Sequence, residues 1–347
     1  MDWKLLERLC TARGISGQED EVRKIILEEI KPYATSIETT PLGSLIVFKK
    51  GAKRPKTKLM LNAHMDEVGM IVTDITDDGL LKFEPVGGID RRVLCGRPVT
   101  VGAEVGAEVG GVIGAKPIHL LEEEEKEKSV PVKELYIDIG AKDREEAERY
   151  VAPGDPVTFD SVFDTAHGMI KSRALDDRAG CAMLIHMIQS EQKYDLYFVF
   201  AVQEETGLTG SRTAAFAVEP QAAIVLESTT AADVAGVDKE NRVCFVGGGA
   251  VISFMDKRTI YDKEYYHLAF QAAKKAGVSC QPKRAVAGGN DAGAIHVSRG
   301  GVRTVAVSLP CRYLHSAVSL IAQEDFISAQ KLVCELADRI AGEEQDD

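Results

Sequence analysis

The sequence predicts an α/β fold: a sheet covered by helices on both faces, three layers in α/β/α order, carrying an inserted small β-rich, barrel-like unit. Three observations predict it. From residue 175 onward, helical periods alternate with apolar runs that have the length and composition of buried strands. The stretch before residue 68 has the same texture. Between residues 69 and 164, helical periods give way to brief β-like runs parted by Gly, Asp and Pro. The simplest organisation is one discontinuous α/β domain, 1–68 with 165–347, interrupted by an insert over 69–164.

Each element has its own signal. Trp3, Leu5, Leu6 and Leu9 form the apolar stripe of a first helix. In SGQEDEVRKIILEEI, Ser16 and Glu19 stand at the spacing of a capping box, ahead of Val22, Ile25, Ile26 and Leu27. SLIVFKK is a strand, and TKLMLNAH climbs through Leu59, Met60 and Leu61 to His64. The insert's strands are MIVTDIT, LLKFEPV, RPVTV, GVIGA, ELYIDIG and DPVTFD. Within it, VGAEVGAEVGG is a tandem duplication too short for a solenoid and reads as a glycine-rich strand and turn. LLEEEEKEKSV reads as a solvated loop or edge. Beyond the insert, DDRAGCAMLIHMIQS is helical, YDLYFVFAV a buried strand, TGSRTAAFA a short helix and AAIVLES a buried strand. The helix DKEYYHLAFQAAKKAG, the strand VRTVAVSL and a closing helix over 323–341 complete the chain.

Composition limits the function classes. The 347 residues are 45% apolar and 28% charged, the balance of a globular protein, and the net charge of -12 disfavours nucleic acid or anionic membrane as a partner. No apolar run approaches the ~20 residues of a bilayer span. The opening MDWKLLERLC lacks the apolar segment of a secretory leader. Seven scattered cysteines without a CxxC pair read as reduced thiols, which with the missing leader predicts a cytoplasmic protein.

Polar groups collect where the strands end. His64 and Asp66 follow LMLNA, Glu204 and Glu205 follow FVFAVQ, Glu227 follows AIVL, Asp176 and Asp177 open a helix, and His315 lies beyond TVAVSLPCRYL. Sites in open α/β sheets form at the carboxyl ends of strands. Two histidines and several carboxylates arriving there are the ligand chemistry of zinc, cobalt or manganese. Taken singly, each has a plainer reading: a helix-start acid, a solvated strand end, a core histidine. Only their convergence is specific.

NAHMDEVG, ALDDRAG, VQEETGLTGS, LEST and YLHS occur in the order and approximate spacing of the co-catalytic two-metal aminopeptidases. The resemblance is closest to the glutamyl or tetrahedral aminopeptidase family, some of whose members carry labels as cellulases or endoglucanases, and it covers nearly the whole chain. It implies a metallopeptidase domain that removes N-terminal residues from peptides with two divalent ions, Zn2+ or Co2+ or also Mn2+. By it, His64, Asp176 and Glu227 hold one ion and Asp176, Glu205 and His315 the other, with Asp176 shared. Many relatives have Asp where this chain has Glu227. Asp66 is implied to fix the His64 ring, and Glu204 to act as general base. Asp177 is implied to support the site, and in relatives its peptide to Asp176 is often cis. The loop Gly288, Gly289, Asn290, Asp291 is implied to lie at the substrate cleft, where a plain helix-opening turn is the alternative. The insert resembles the family's dimerisation domain, and relatives build twelve-subunit particles from dimers, so a homo-oligomer is implied.

Other functions fit less well. A glycoside hydrolase needs two carboxylates but no histidine ligands, and here aromatics are 6% with one tryptophan. A carboxypeptidase or amide deacylase on the same core needs a cation for a terminal carboxylate, for which Arg258, Arg284 or Arg312 are available. A metal-dependent scaffold has no use for a non-ligating Glu204.

Overall fold

The computed structural model describes residues 3–102 and 108–343. Strands are numbered here in chain order. β1 (Ser36–Thr39), β2 (Leu45–Lys49) and β3 (Leu59–His64) precede the insert. The insert supplies β4 (Gly69–Ile75), β5 (Leu81–Val86), β6 (Pro98–Val101), β7 (Val109–Gly114), β8 (Tyr136–Asp138) and β9 (Pro156–Phe159). After it come β10 (Asp164–Ala166), β11 (Met169–Ser172), β12 (Leu196–Ala201), β13 (Ala222–Thr230), β14 (Ala250–Ile252), β15 (Cys280–Pro282), β16 (Arg303–Cys311) and β17 (Ser319–Ala322).

The main sheet runs β1-β2-β12-β3-β13-β16-β14-β15. Its centre, β12, β3, β13 and β16, is parallel, and antiparallel pairs flank it on both sides. Alternation along these strands makes two cores. Leu59, Leu61, Ala222, Ile224, Phe198 and Phe200 face the larger one, closed by the helices Lys4–Thr11, Asp20–Ile30, Leu175–Gln189 and Gln323–Gly342. Met60, Val199, Ala223 and Val225 face the other, under the helix Thr209–Val218 and the short helix Ala292–Ile295. This is the expected three-layer order.

The six β-like runs of the insert become β4 to β9, which close into a barrel in the order β4-β5-β8-β7-β6-β9. Its core is separate, built on Met70, Val72, Phe83, Val99, Ile113, Ile137 and Val157. Closure leaves the barrel without a free sheet edge. The glycine-rich reading of VGAEVGAEVGG falls partly on 103–107, outside the described residues, and its last three residues belong to β7. The charge run holds a one-turn helix, Glu123–Lys126.

One local expectation is overturned. The second helix starts at Asp20 with no side-chain cap, so Ser16 and Glu19 form no capping box. The Ser16 hydroxyl donates to Asp66 Oδ2 at 2.6 Å, and Glu19 Oε1 accepts from the Gly17 and Gln203 amides. A tertiary partner wins over the local one.

Candidate metal centre and cleft

The strand pattern places the first ligand candidates. His64 ends β3 on the face of Met60 and Asn62, and Glu227 lies on β13 on the face of Ala223 and Val225. Because β3 and β13 run parallel, both side chains arrive at the same end of the sheet. β12 stops at Ala201 beside His64, and Gln203, with φ 55°, turns the chain so that Glu204 and Glu205 follow. Asp176 and Asp177 are joined by a cis peptide at the start of the Leu175–Gln189 helix. His315 lies just beyond β16.

These five stretches converge. His64 Nε2 is 3.5 Å from Asp176 Oδ1 and 3.4 Å from Glu227 Oε1. His315 Nε2 is 3.2 Å from Asp176 Oδ2 and 3.2 Å from Glu205 Oε1. Asp176 thus turns one oxygen to each histidine. Donor atoms of His64, Asp176 and Glu205 lie within 4.8 Å of one another, as do those of His64, Asp177 and Glu227. Asp177 therefore competes for a ligand's place, although its Oδ1 already accepts from the Gly180 amide at 3.0 Å.

Each imidazole is held by a main-chain carbonyl. His64 Nδ1 donates to the Asp66 carbonyl at 3.0 Å and His315 Nδ1 to the Gly88 carbonyl at 2.9 Å. A carbonyl only accepts, so Nδ1 carries the proton and Nε2 faces the carboxylates. The Asp66 carboxylate, which the resemblance implies fixes this ring, stands 3.5 Å from the same Nδ1 of His64. Its oxygens also accept from the Ser16 hydroxyl and from the Glu204 and Glu205 amides at 3.0 and 3.1 Å. Asp66 fixes the glutamate turn with its side chain and the histidine with its backbone.

The charges are out of balance. Burial opposes charge on His315, but Asp176 and Glu205 outweigh it and push its pKa up to about 11. At His64 burial is likewise outweighed, by Glu227, Asp176 and Asp66, and the pKa stands well above the usual imidazole range. Burial raises Asp176, but both histidines hold it well below the ordinary range. Glu227 and Glu204 are pushed well up, first by burial and then by neighbouring carboxylates and, for Glu205, burial again is the main cause. Two imidazoles satisfy one carboxylate and leave the others short of positive charge. Asp176 Oδ1 is also buried without a hydrogen-bond partner. The donor set suits borderline divalent cations, and the residues fit a divalent metal centre.

The centre opens into a cleft of about 480 Å³ whose walls include Thr229, Thr230, Arg258, Lys283, Gly288, Gly289 and Asn290. Of the loop that the resemblance implies lies at the cleft, Asp291 is 1% exposed, is not among the lining residues, and accepts from Asn62 Nδ2 at 2.7 Å. The strand β3 that carries His64 also carries Asn62, so Asp291 braces the sheet at the site.

A model of the M42 glutamyl aminopeptidase family matches residues 43–332. The chain belongs to that family. It is 31% identical over 354 residues to the lysyl aminopeptidase of Pyrococcus furiosus, with 98% of each chain covered. It is 36% identical to the TET1 peptidase of Pyrococcus horikoshii, with TM-score 0.85 and 98% and 99% of the two chains covered; that peptidase can assemble into a tetrahedron or a large octahedral shell. A solved Thermotoga maritima protein titled as an endoglucanase is 34% identical, with TM-score 0.80 and 97% and 98% covered. The protein is a peptide hydrolase of the aminopeptidase class.

Several residues of this M42 site escape sequence reasoning. Gly88 comes from the loop after β5, so the barrel unit itself holds a histidine of the centre. Its neighbour Gly87, at φ +84°, leaves no room for a side chain: a Cβ would stand 2.8 Å from Val68 and 3.2 Å from Glu205. Lys283 enters the cleft wall from a segment with no recognisable pattern, beside Arg258, one of the three arginines the sequence offered as a cation for a terminal carboxylate. Among the described residues no helix is long and apolar enough to cross a membrane.

Proposed function

We propose that the protein is a two-metal aminopeptidase that hydrolyses N-terminal residues from peptides, with Glu204 as general base. The observation that carries this reading is Asp176, one oxygen turned to each of two histidines that are each backed by a glutamate. His64, Asp176 and Glu227 would hold one ion, and Asp176, Glu205 and His315 the other. Asp176 is preferred to Asp177 because Asp177 already serves Gly180. When bound, divalent ions such as zinc, cobalt or manganese supply Lewis acidity toward the scissile carbonyl and lower the pKa of water to about 7.

The chain's own residues supply positioning and proton transfer. Asp66 accepts from the amides of both Glu204 and Glu205, which fixes the two carboxylates relative to each other. Glu205 is spent on His315 and the cation site, and Glu204 faces the cleft with its pKa raised by burial. A carboxylate tuned upward takes a proton from the attacking water and returns it to the departing amine. Gly289 and Asn290 line the same cleft and would meet the peptide.

The α/β unit, 1–68 with 165–347, would carry the chemistry, and the inserted barrel unit over 69–164 would serve dimerisation. Higher assembly resembling that of the TET1 peptidase and a cytoplasmic location complete the reading. Glycoside hydrolysis is disfavoured because no Phe, Tyr or Trp is among the described residues lining the cleft. Parallel assays decide between them. Purified protein should cleave a chromogenic aminoacyl amide, lose that activity to a chelator and regain it with zinc, cobalt or manganese, while a soluble glucan stays intact. Chelator-resistant glucan cleavage would overturn the proposal.

A further inference from the structure

The segment between the first two helices is bolted to the site on two sides. On one side, two arginines near Asp176 in sequence grip its main chain and that of the end of the first helix. Buried Arg178 donates to the carbonyls of Leu9 at 2.5 Å, Ala12 at 3.2 Å and Gly14 at 3.2 Å, and Arg173 to that of Thr11 at 2.6 Å. The Gly14 carbonyl also accepts from the Glu67 amide at 2.9 Å. On the other side, the segment reaches the turn that carries the two glutamates. Glu19 Oε1 accepts from the Gln203 amide at 3.1 Å, and the Ser16 hydroxyl donates at 2.6 Å to Asp66, which accepts from the next two amides.

Three successive main-chain N–H groups, at 203, 204 and 205, thus end on two buried carboxylates. The turn needs this support because Gln203 adopts φ 55°, a conformation uncommon for a residue with a side chain. Glu19 is 3% exposed and forms no helix cap, so the cost of burying it is offset by main-chain amides, those of Gly17 and Gln203 among them.

We propose that Ser16 and Glu19 are positioning residues for Glu204: through Asp66 and the Gln203 amide they set where its carboxylate stands beside Glu205. This rests on the reading of Glu204 as the base. A displacement near 1 Å costs on the order of 10²-fold in a reaction that depends on alignment. Ser16→Ala and Glu19→Ala should each lower kcat by about 10- to 100-fold with KM within about threefold of the parent value. Glu19→Gln keeps an oxygen acceptor, and Ser16→Thr keeps a hydroxyl, so both should recover most of the rate.

The deciding experiment places both alanine variants in the parent enzyme and in a Glu204→Gln background. Residues that act through Glu204 lower the parent rate and cost nothing further once Glu204 is replaced. Hydrogen exchange of the peptide spanning 202–208 should quicken in both alanine variants and return to the parent rate in Glu19→Gln and Ser16→Thr. Parent-like kcat in both alanine variants, beside an inactive Glu204→Gln, would overturn the proposal and leave the base assignment standing. An equal further loss in the Glu204→Gln background would also overturn it, since the segment would then act elsewhere. A Glu204→Gln enzyme of near-normal rate would remove both assignments together. If Glu19→Ala does not fold, Ser16→Ala and its double variant read the same outcomes.

Discussion

Glu204→Gln should lower kcat by about 10²- to 10⁴-fold while the protein keeps its metal complement. The amide has the shape of the carboxylate and leaves the Glu204 main-chain bond to Asp66 intact, so the turn is undisturbed. What it removes is an oxygen that can hold a proton between the attack of water and the departure of the amine. In the parent, burial raises the Glu204 pKa above the ordinary carboxylate range, which strengthens it as a proton acceptor. Steady-state kinetics together with metal analysis of the same sample check the two halves of the expectation. A variant that keeps its ions and a near-normal rate excludes Glu204 as the base.

Asp176→Ala should have the larger effect on the assembly of the centre. It deletes the only side chain with an oxygen 3.5 Å or nearer to each of His64 and His315 among the described contacts. Glu205 and Glu227 then belong to separate half-sites, each with one histidine and no shared anion. Both ions should be lost and turnover should fall to background. The loss is visible without an assay: a ligand present at 1,000 times its Kd stabilises the folded state by about 4 kcal/mol. Chelation should therefore lower the melting temperature of the parent and leave that of Asp176→Ala unchanged. A variant that still binds two ions per chain would shift the shared role to Asp177, whose donor atoms lie near those of His64 and Glu227.

The two cores were legible in the sequence because burial writes itself as periodicity. β3 and β13 open as apolar runs, LML and AAIVL, since both of their faces are covered, and the barrel strands read as six short runs set apart by turns. The positions of His64 at the end of β3, of Glu204 and Glu205 just beyond β12, and of Glu227 in the last half of β13 followed from the same logic, and the family motifs supplied roles that spacing alone left open. Contacts made across long stretches of chain were not legible. The Gly88 carbonyl meets His315 across 227 residues, and a glycine carbonyl leaves no chemical trace in a sequence. Asp291 shows the converse, a motif residue whose buried carboxylate is engaged by Asn62 of β3, a contact that no local pattern announces. Ser16 and Glu19 carried a genuine local pattern that tertiary structure put to another use. A capping box and a brace for a distant turn require the same two side chains, and only the position of Asp66 and Gln203 tells them apart.

Anomalous diffraction from crystals grown with zinc tests the whole account most directly. Two peaks are expected per chain, one on either side of the Asp176 carboxylate, the first against His64 and Glu227 and the second against His315 and Glu205. Data that hold no peak there, or a single peak apart from Asp176, would contradict a paired metal centre and with it the proposed hydrolytic mechanism.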